Sequence, residues 1–141
     1  MFYKLAVYIS LITLFSCADY EENFFIEEEI EVYYLDFFNE AEIRGVYFEQ
    51  SDLVIVLGNL PVALGTTIRG NQSPRIIIDS DFWAKARTEK KRFVVYHELG
   101  HALLNKRDNK DITSLMCTGE AEAISNFYLN KSEMLDKLFT K

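Results

Sequence analysis

An α+β domain with a short mixed sheet is the fold class this sequence predicts, and three observations predict it. Two short β-branched runs, Leu53-Val54-Ile55-Val56-Leu57 and Ile76-Ile77-Ile78, read as buried strands. A stretch with helical apolar spacing precedes them. Two longer helix-prone stretches follow, over residues 88–105 and 120–139. The chain is 141 residues long, room for one core.

Residues 24–42 place Ile26, Ile30, Tyr33, Tyr34, Phe37 and Ala41 on one face at helical intervals. Glu27, Glu28 and Glu29 sit near the start, where they favour the helix dipole, and Gly45 lies just past the end. The run 53–57 is closed by Gly58-Asn59, a turn signal. Residues 62–69 form a weaker strand that carries Gly65, and Gly70-Asn71 with Pro74 turns the chain into a strand over 75–79. Ser80-Asp81 caps a short helical piece bearing Trp83. Thr88 is the expected N-cap of the long helix, with Glu89 in its first turn. A polar loop spans 106–113.

The formal charge is -7, from 15 Lys+Arg against 22 Asp+Glu, so a basic nucleic-acid-binding face is not expected. Two cysteines make no disulfide framework. The chain has only two histidines, and any histidine chemistry must use both.

Residues 1–16 have one cation, Lys4, and then an apolar run from Leu5 to Phe15. That run is too short to span a hydrocarbon core of about 30 Å and suits a signal peptide. Its end, Leu14-Phe15-Ser16-Cys17, resembles a bacterial lipobox, with Phe15 bulkier than usual. The resemblance implies cleavage before Cys17, lipidation of that cysteine and a tether over 17–23, leaving a folded domain over 24–141. Asp19, Glu21 and Glu22 resemble a surface-export tag and read equally well as a solvated tether.

The chemistry is concentrated in His97-Glu98-Leu99-Gly100-His101, an H-E-x-x-H sequence inside the long helix. Residues four apart on a helix are separated by about 40° around its axis, so both imidazoles leave one face at chelating distance. Glu98 is about 100° round from His97, beside a metal and not on it, placed to take a proton from water. Zn²⁺ is the expected cofactor. Gly100 is unexpected in mid-helix unless backbone or sheet approaches closely there.

With Ala102-Leu103-Leu104 and the later Ser114-Leu115-Met116, this motif resembles the metzincin side of the zincin metallopeptidases, and more narrowly small matrixin-like lipoproteins of bacteria. The terminal Leu135-Asp136-Lys137-Leu138-Phe139 and the upstream Ile76-Ile77-Ile78-Asp79 with Trp83 are similar as well, so the likeness covers about residues 75–139. It implies a small zincin-like domain and a peptidase, with Met116 as a floor beneath the metal. The family's third histidine falls ten or eleven residues after the first, at Arg107 or Asp108 here. Asp108 is a sound zinc ligand and is the expected third one. Glu120 and Glu122, on the following helix, are the alternatives, in the gluzincin manner. Cys117 reads as a small buried thiol, with zinc thiolate the lesser alternative. Cys117-Thr118-Gly119 departs from the Asn-Pro-Tyr-like turn of the family.

The expected function is zinc-dependent peptide hydrolysis with Glu98 as general base. Substrate would be a peptide or protein, added along an exposed edge strand over 63–68. The expected location is the bacterial cell envelope, with the membrane as partner through the lipid on Cys17 and no nucleic acid. The alternative is a surface lipoprotein that keeps the scaffold and metal, binds, and hydrolyses nothing.

Overall fold

The computed structural model describes residues 24–49, 52–70 and 73–140. The signal segment 1–16, Cys17 and the tether lie outside them. The elements in chain order are β1 Phe24–Ile26, α1 Glu28–Ile43, β2 Leu53–Gly58, β3 Gly65–Ile68, β4 Arg75–Asp79, α2 Ser80–Lys85, α3 Thr88–Leu104 and α4 Glu120–Phe139. The fold is α+β, with four helices and one four-stranded mixed sheet among the described residues.

The sheet order is β1-β2-β4-β3. Strands β1, β2 and β4 run parallel, and β3 returns antiparallel to β4 at the edge. Buried parallel strands carry near-continuous apolar runs, which is why β2 and β4 stand out in the sequence. Leu53, Ile55, Ile76 and Ile78 point into the core, joined by Ile30 and Phe37 of α1 and by Phe93, Tyr96 and Leu99 of α3. α4 closes the core with Phe127, Met134 and Leu135. Among the described residues no helix is long and apolar enough to cross a membrane.

Three local expectations are corrected. Residues 24–26 form a strand and not the first turn of α1. Phe24, Phe25 and Ile26 pair with Leu53, Val54 and Ile55, a register that offers an aromatic and β-branched tripeptide backbone partners a helix start could not. Ile26 therefore leaves the helical stripe; Ile30, Phe37 and Ala41 are buried and Tyr33 and Tyr34 half-buried. The cap of α2 is Asp79, not Ser80 or Asp81: its carboxylate accepts from the Phe82 N–H at 2.7 Å. Thr88 already has helical backbone, and extended Arg87 holds the cap position without a side-chain bond.

Asp79 also accepts from the Leu60 N–H at 2.9 Å, so one carboxylate ties the loop after β2 to α2. The Leu60 and Phe82 amides hold this carboxyl below its ordinary range. A lowered pKa gives stability that is present above the ordinary value of about 4 and lost as pH falls through the folded value. Asp79→Ala should therefore lower the melting temperature at pH 7, and the gap from wild type should narrow as the pH is taken below about 4. Thermal denaturation across that range checks it, and a gap indifferent to pH would contradict the role.

The ends of two helices carry left-handed backbone. Gly45 (φ 73°) turns the chain off α1, and its N–H bonds to the Glu42 carbonyl at 2.9 Å. Asn105 (φ 53°) does the same for α3, with the Lys106 N–H reaching back to the Gly100 carbonyl at 3.1 Å. That second turn positions the site.

Candidate metal centre

His97 and His101 share a face of α3, and each ring is held from behind by a backbone carbonyl. His97 Nδ1 lies 2.7 Å from the Leu115 carbonyl oxygen and His101 Nδ1 lies 2.8 Å from that of Lys106. A carbonyl only accepts, so each Nδ1 carries the hydrogen and each Nε2 presents a lone pair. The Lys106 carbonyl is available because left-handed Asn105 ends the helix and folds the chain back under His101. The same turn brings Asp108 over the two rings.

The three inward atoms form a small triangle. The Nε2 atoms are 3.1 Å apart, and Asp108 Oδ1 is 3.2 Å from each. In a tetrahedral zinc site, with bonds of about 2.0–2.1 Å, neighbouring ligand atoms lie about 3.3–3.4 Å apart. The triangle is close to that size. Two lone pairs and a carboxylate oxygen facing one point repel each other unless a cation lies between them. Among the described residues His97, His101 and Asp108 are the set that meets the spacing for a metal. Of the two alternatives from the sequence, Glu122 does not join them and its side chain is exposed on α4, and the side chain of Glu120 lies outside the described residues. Cys117 is buried, lines the cleft and accepts from the Gly119 N–H at 3.3 Å, outside the ligand set.

The loop that carries Asp108 is tied down by its own polar groups. The Asn109 N–H donates to the Met116 carbonyl at 2.8 Å and the Thr118 N–H to the Asn109 carbonyl at 3.0 Å. These bonds fix Asp108 and Leu115 relative to each other, so the third candidate ligand and the carbonyl orienting His97 move as one unit.

Met116 is buried and lies under the helix. A Cβ on Gly100 would fall 2.7 Å from Met116 Sδ and 3.2 Å from Leu138 Cδ1. The expectation of a close backbone or sheet is corrected here: two side chains, one from the loop and one from α4, occupy the space.

Glu98 is nearly buried, 5% exposed, and lines the same cleft as the triangle. The Thr67 hydroxyl of β3 donates to its Oε2 at 2.6 Å and lies 3.1 Å from its backbone carbonyl oxygen. Burial pushes the Glu98 carboxyl above its ordinary range; the Thr67 bond and the two imidazoles act against this, and the Asp108 charge adds to it. Gly65, also on β3, leaves the space this side chain fills. Arg69 follows on the same face of the chain and donates to the His101 and Ala102 carbonyls and to Asn105 Oδ1. Alternate positions 65, 67 and 69 thus join the edge strand to α3, Gly65 by leaving room for Glu98 and Thr67 and Arg69 by their side-chain bonds. Sequence reasoning missed this clip. A glycine inside a strand was its one visible signal, since that often marks close approach.

The cleft holds about 570 Å³, with β3 as one wall and the loop 105–118 as the other. Comparison of the chain with protein-family models, curated proteins and solved structures found no match.

Proposed function

We propose that this protein is a zinc-dependent peptidase with a small zincin-like domain, held at the bacterial cell envelope by a lipid on Cys17. One observation carries the reading: an imidazole, a second imidazole and a carboxylate converge at ligand spacing in a cleft that also contains a nearly buried glutamate. The H-E-L-G-H-A-L-L sequence, with Ser114-Leu115-Met116 after it, supports the same reading through its likeness to the metzincins.

His97, His101 and Asp108 would hold the ion. When bound there, Zn²⁺ supplies Lewis acidity, polarising a scissile carbonyl and lowering the pKa of water. Glu98 takes a proton from the attacking water and returns it to the leaving amine. Thr67 engages Oε2, which leaves Oε1 for that transfer. Burial supports the role, because a carboxylate out of bulk water holds a proton more readily. The edge strand β3 offers free backbone groups along the cleft for a peptide to pair with.

The test combines metal analysis with hydrolysis of a mixed peptide library. The purified domain should carry about one Zn²⁺ per chain, and cleavage should stop with a chelator and return with zinc. Glu98→Gln should retain zinc and lose at least about a thousandfold in rate, as the general base and its orientation act together. A domain that binds no zinc ends this reading. A domain that binds zinc and cleaves nothing is the binding lipoprotein instead.

A further inference from the structure

The cleft is chemically different at its two ends. It follows α3 from Phe93 and Val94 to Asn105, about 18 Å at helical rise, with the three candidate ligands near its middle. Leu64, Phe93 and Val94 make one end apolar. Arg69 and Arg107 make the other cationic, with Lys106 beside them.

What sets these cations apart, in a chain of net charge -7, is that they meet at one cleft; among the described residues Arg75, Arg87 and several lysines elsewhere also have no carboxylate partner. Arg44 is paired with Glu40 and Asp136, and Arg92 with Asp36 and Glu89. Among the described residues no carboxylate lies at ion-pair distance from Arg69, Lys106 or Arg107. Arg69 donates to neutral groups at the end of α3, and Lys106 Nζ to the Thr140 carbonyl at 2.7 Å. The partial negative charge of the helix C-terminus offsets only about half an elementary charge. Arg107 is exposed, and no described side chain or carbonyl accepts from it. Its neighbour Asp108 is turned toward the histidines.

We propose that the cleft selects peptides that present a carboxylate to the Arg69–Arg107 end. This rests on the peptidase reading and adds its substrate class. Four residues of helix, about 6 Å of rise, separate His101 from Asn105, to which Arg69 is bonded, and that is about two residues of extended peptide. The carboxylate therefore belongs to an acidic side chain within about two residues of the scissile bond, or to a peptide C-terminus at that distance. Arg69, held against the helix end through both Nη atoms, contributes its positive charge, and the unengaged guanidinium of Arg107 on the loop supplies the donors for the carboxylate.

The experiment measures binding of fluorescent hexapeptides to zinc-loaded Glu98→Gln protein by anisotropy, which needs no turnover. Three probes are used: an amidated peptide with one central glutamate, an alanine peptide with a free C-terminus, and the amidated alanine peptide. At least one carboxylate-bearing probe should bind about tenfold more tightly than the amidated alanine probe, and which one does so identifies the source. Arg107→Glu should erase the difference, Arg107→Lys should keep most of it, and added salt should reduce it. Equal binding of all three probes, no binding of any, or indifference to Arg107→Glu overturns the proposal. Cleavage by wild type without carboxylate preference would leave the peptidase reading standing and remove this one. Arg107-dependent binding without cleavage by wild type would do the reverse.

Discussion

His97→Ala and His101→Ala are each expected to abolish zinc binding, and Asp108→Ala to weaken it by at least about tenfold, roughly the scale seen when a supporting partner of a metal ligand is lost. The order follows from the geometry. Each histidine is fixed twice, by its place on α3 and by the carbonyl behind Nδ1, so its Nε2 is aimed before any ion arrives. Asp108 comes from a loop and its side chain is 52% exposed, so water can take part of its role. Two aimed nitrogens remain when it is removed, and weak binding persists. Asp108→His should keep or raise affinity, because a histidine there supplies the residue that the resembling family carries. Glu122→Ala should change little, since that side chain is outside the cluster. Zinc titration of these variants against a chromogenic chelator gives the ranking, and a silent Asp108→Ala would remove Asp108 from the ligand set.

The parts of this protein that follow one short rule were readable in its sequence. β2 and β4 are buried on the core side and are written as β-branched runs. The shared face of His97 and His101 on α3 follows from a four-residue spacing, and the end of that helix from an asparagine that tolerates left-handed backbone. The parts that depend on a distant partner were not. Phe24-Phe25-Ile26 fits the period of α1 as well as it fits a strand, and only pairing with residues 53–55 decides between them. Gly100 is small because Met116 and Leu138 arrive from other elements, and no pattern near position 100 says so. Asp108 joins the two histidines through a turn that begins at Asn105; the likeness to the metzincins, whose third ligand falls ten or eleven residues after the first histidine, named it as a candidate without excluding the glutamates of α4. The clip from β3 to Glu98 was the least legible, because a threonine donating across 31 positions of sequence leaves no local trace.

That clip leads to the second large effect. Gly65→Val is expected to lower the turnover rate at saturating peptide by about a hundredfold while zinc affinity stays within about twofold, since a misplacement near 1 Å is enough for such a loss. A Cβ at position 65 would lie 2.9 Å from Glu98 Cγ, 3.0 Å from its Oε1 and 3.1 Å from Val94 Cγ1. Real side chains do not tolerate that first contact, so either Glu98 or β3 must move. Glu98 has little freedom to yield, because Thr67 holds Oε2 and the core holds the backbone of α3. Thr67→Val keeps the shape and removes the donor, which leaves a nearly buried carboxylate oxygen without its bond. It should slow turnover in the same direction by a smaller factor, and Thr67→Ser should restore most of the rate. The atoms nearest a Cβ at position 65 belong to Glu98 and Val94, and the Thr67 hydroxyl bonds only Glu98, so the ion should be insensitive to all three changes. Measuring turnover and zinc titration on the same preparations separates the two roles. If zinc affinity falls in step with the rate, β3 supports the ligands and not the base. If Gly65→Val turns over like wild type, the strand does not set the position of Glu98.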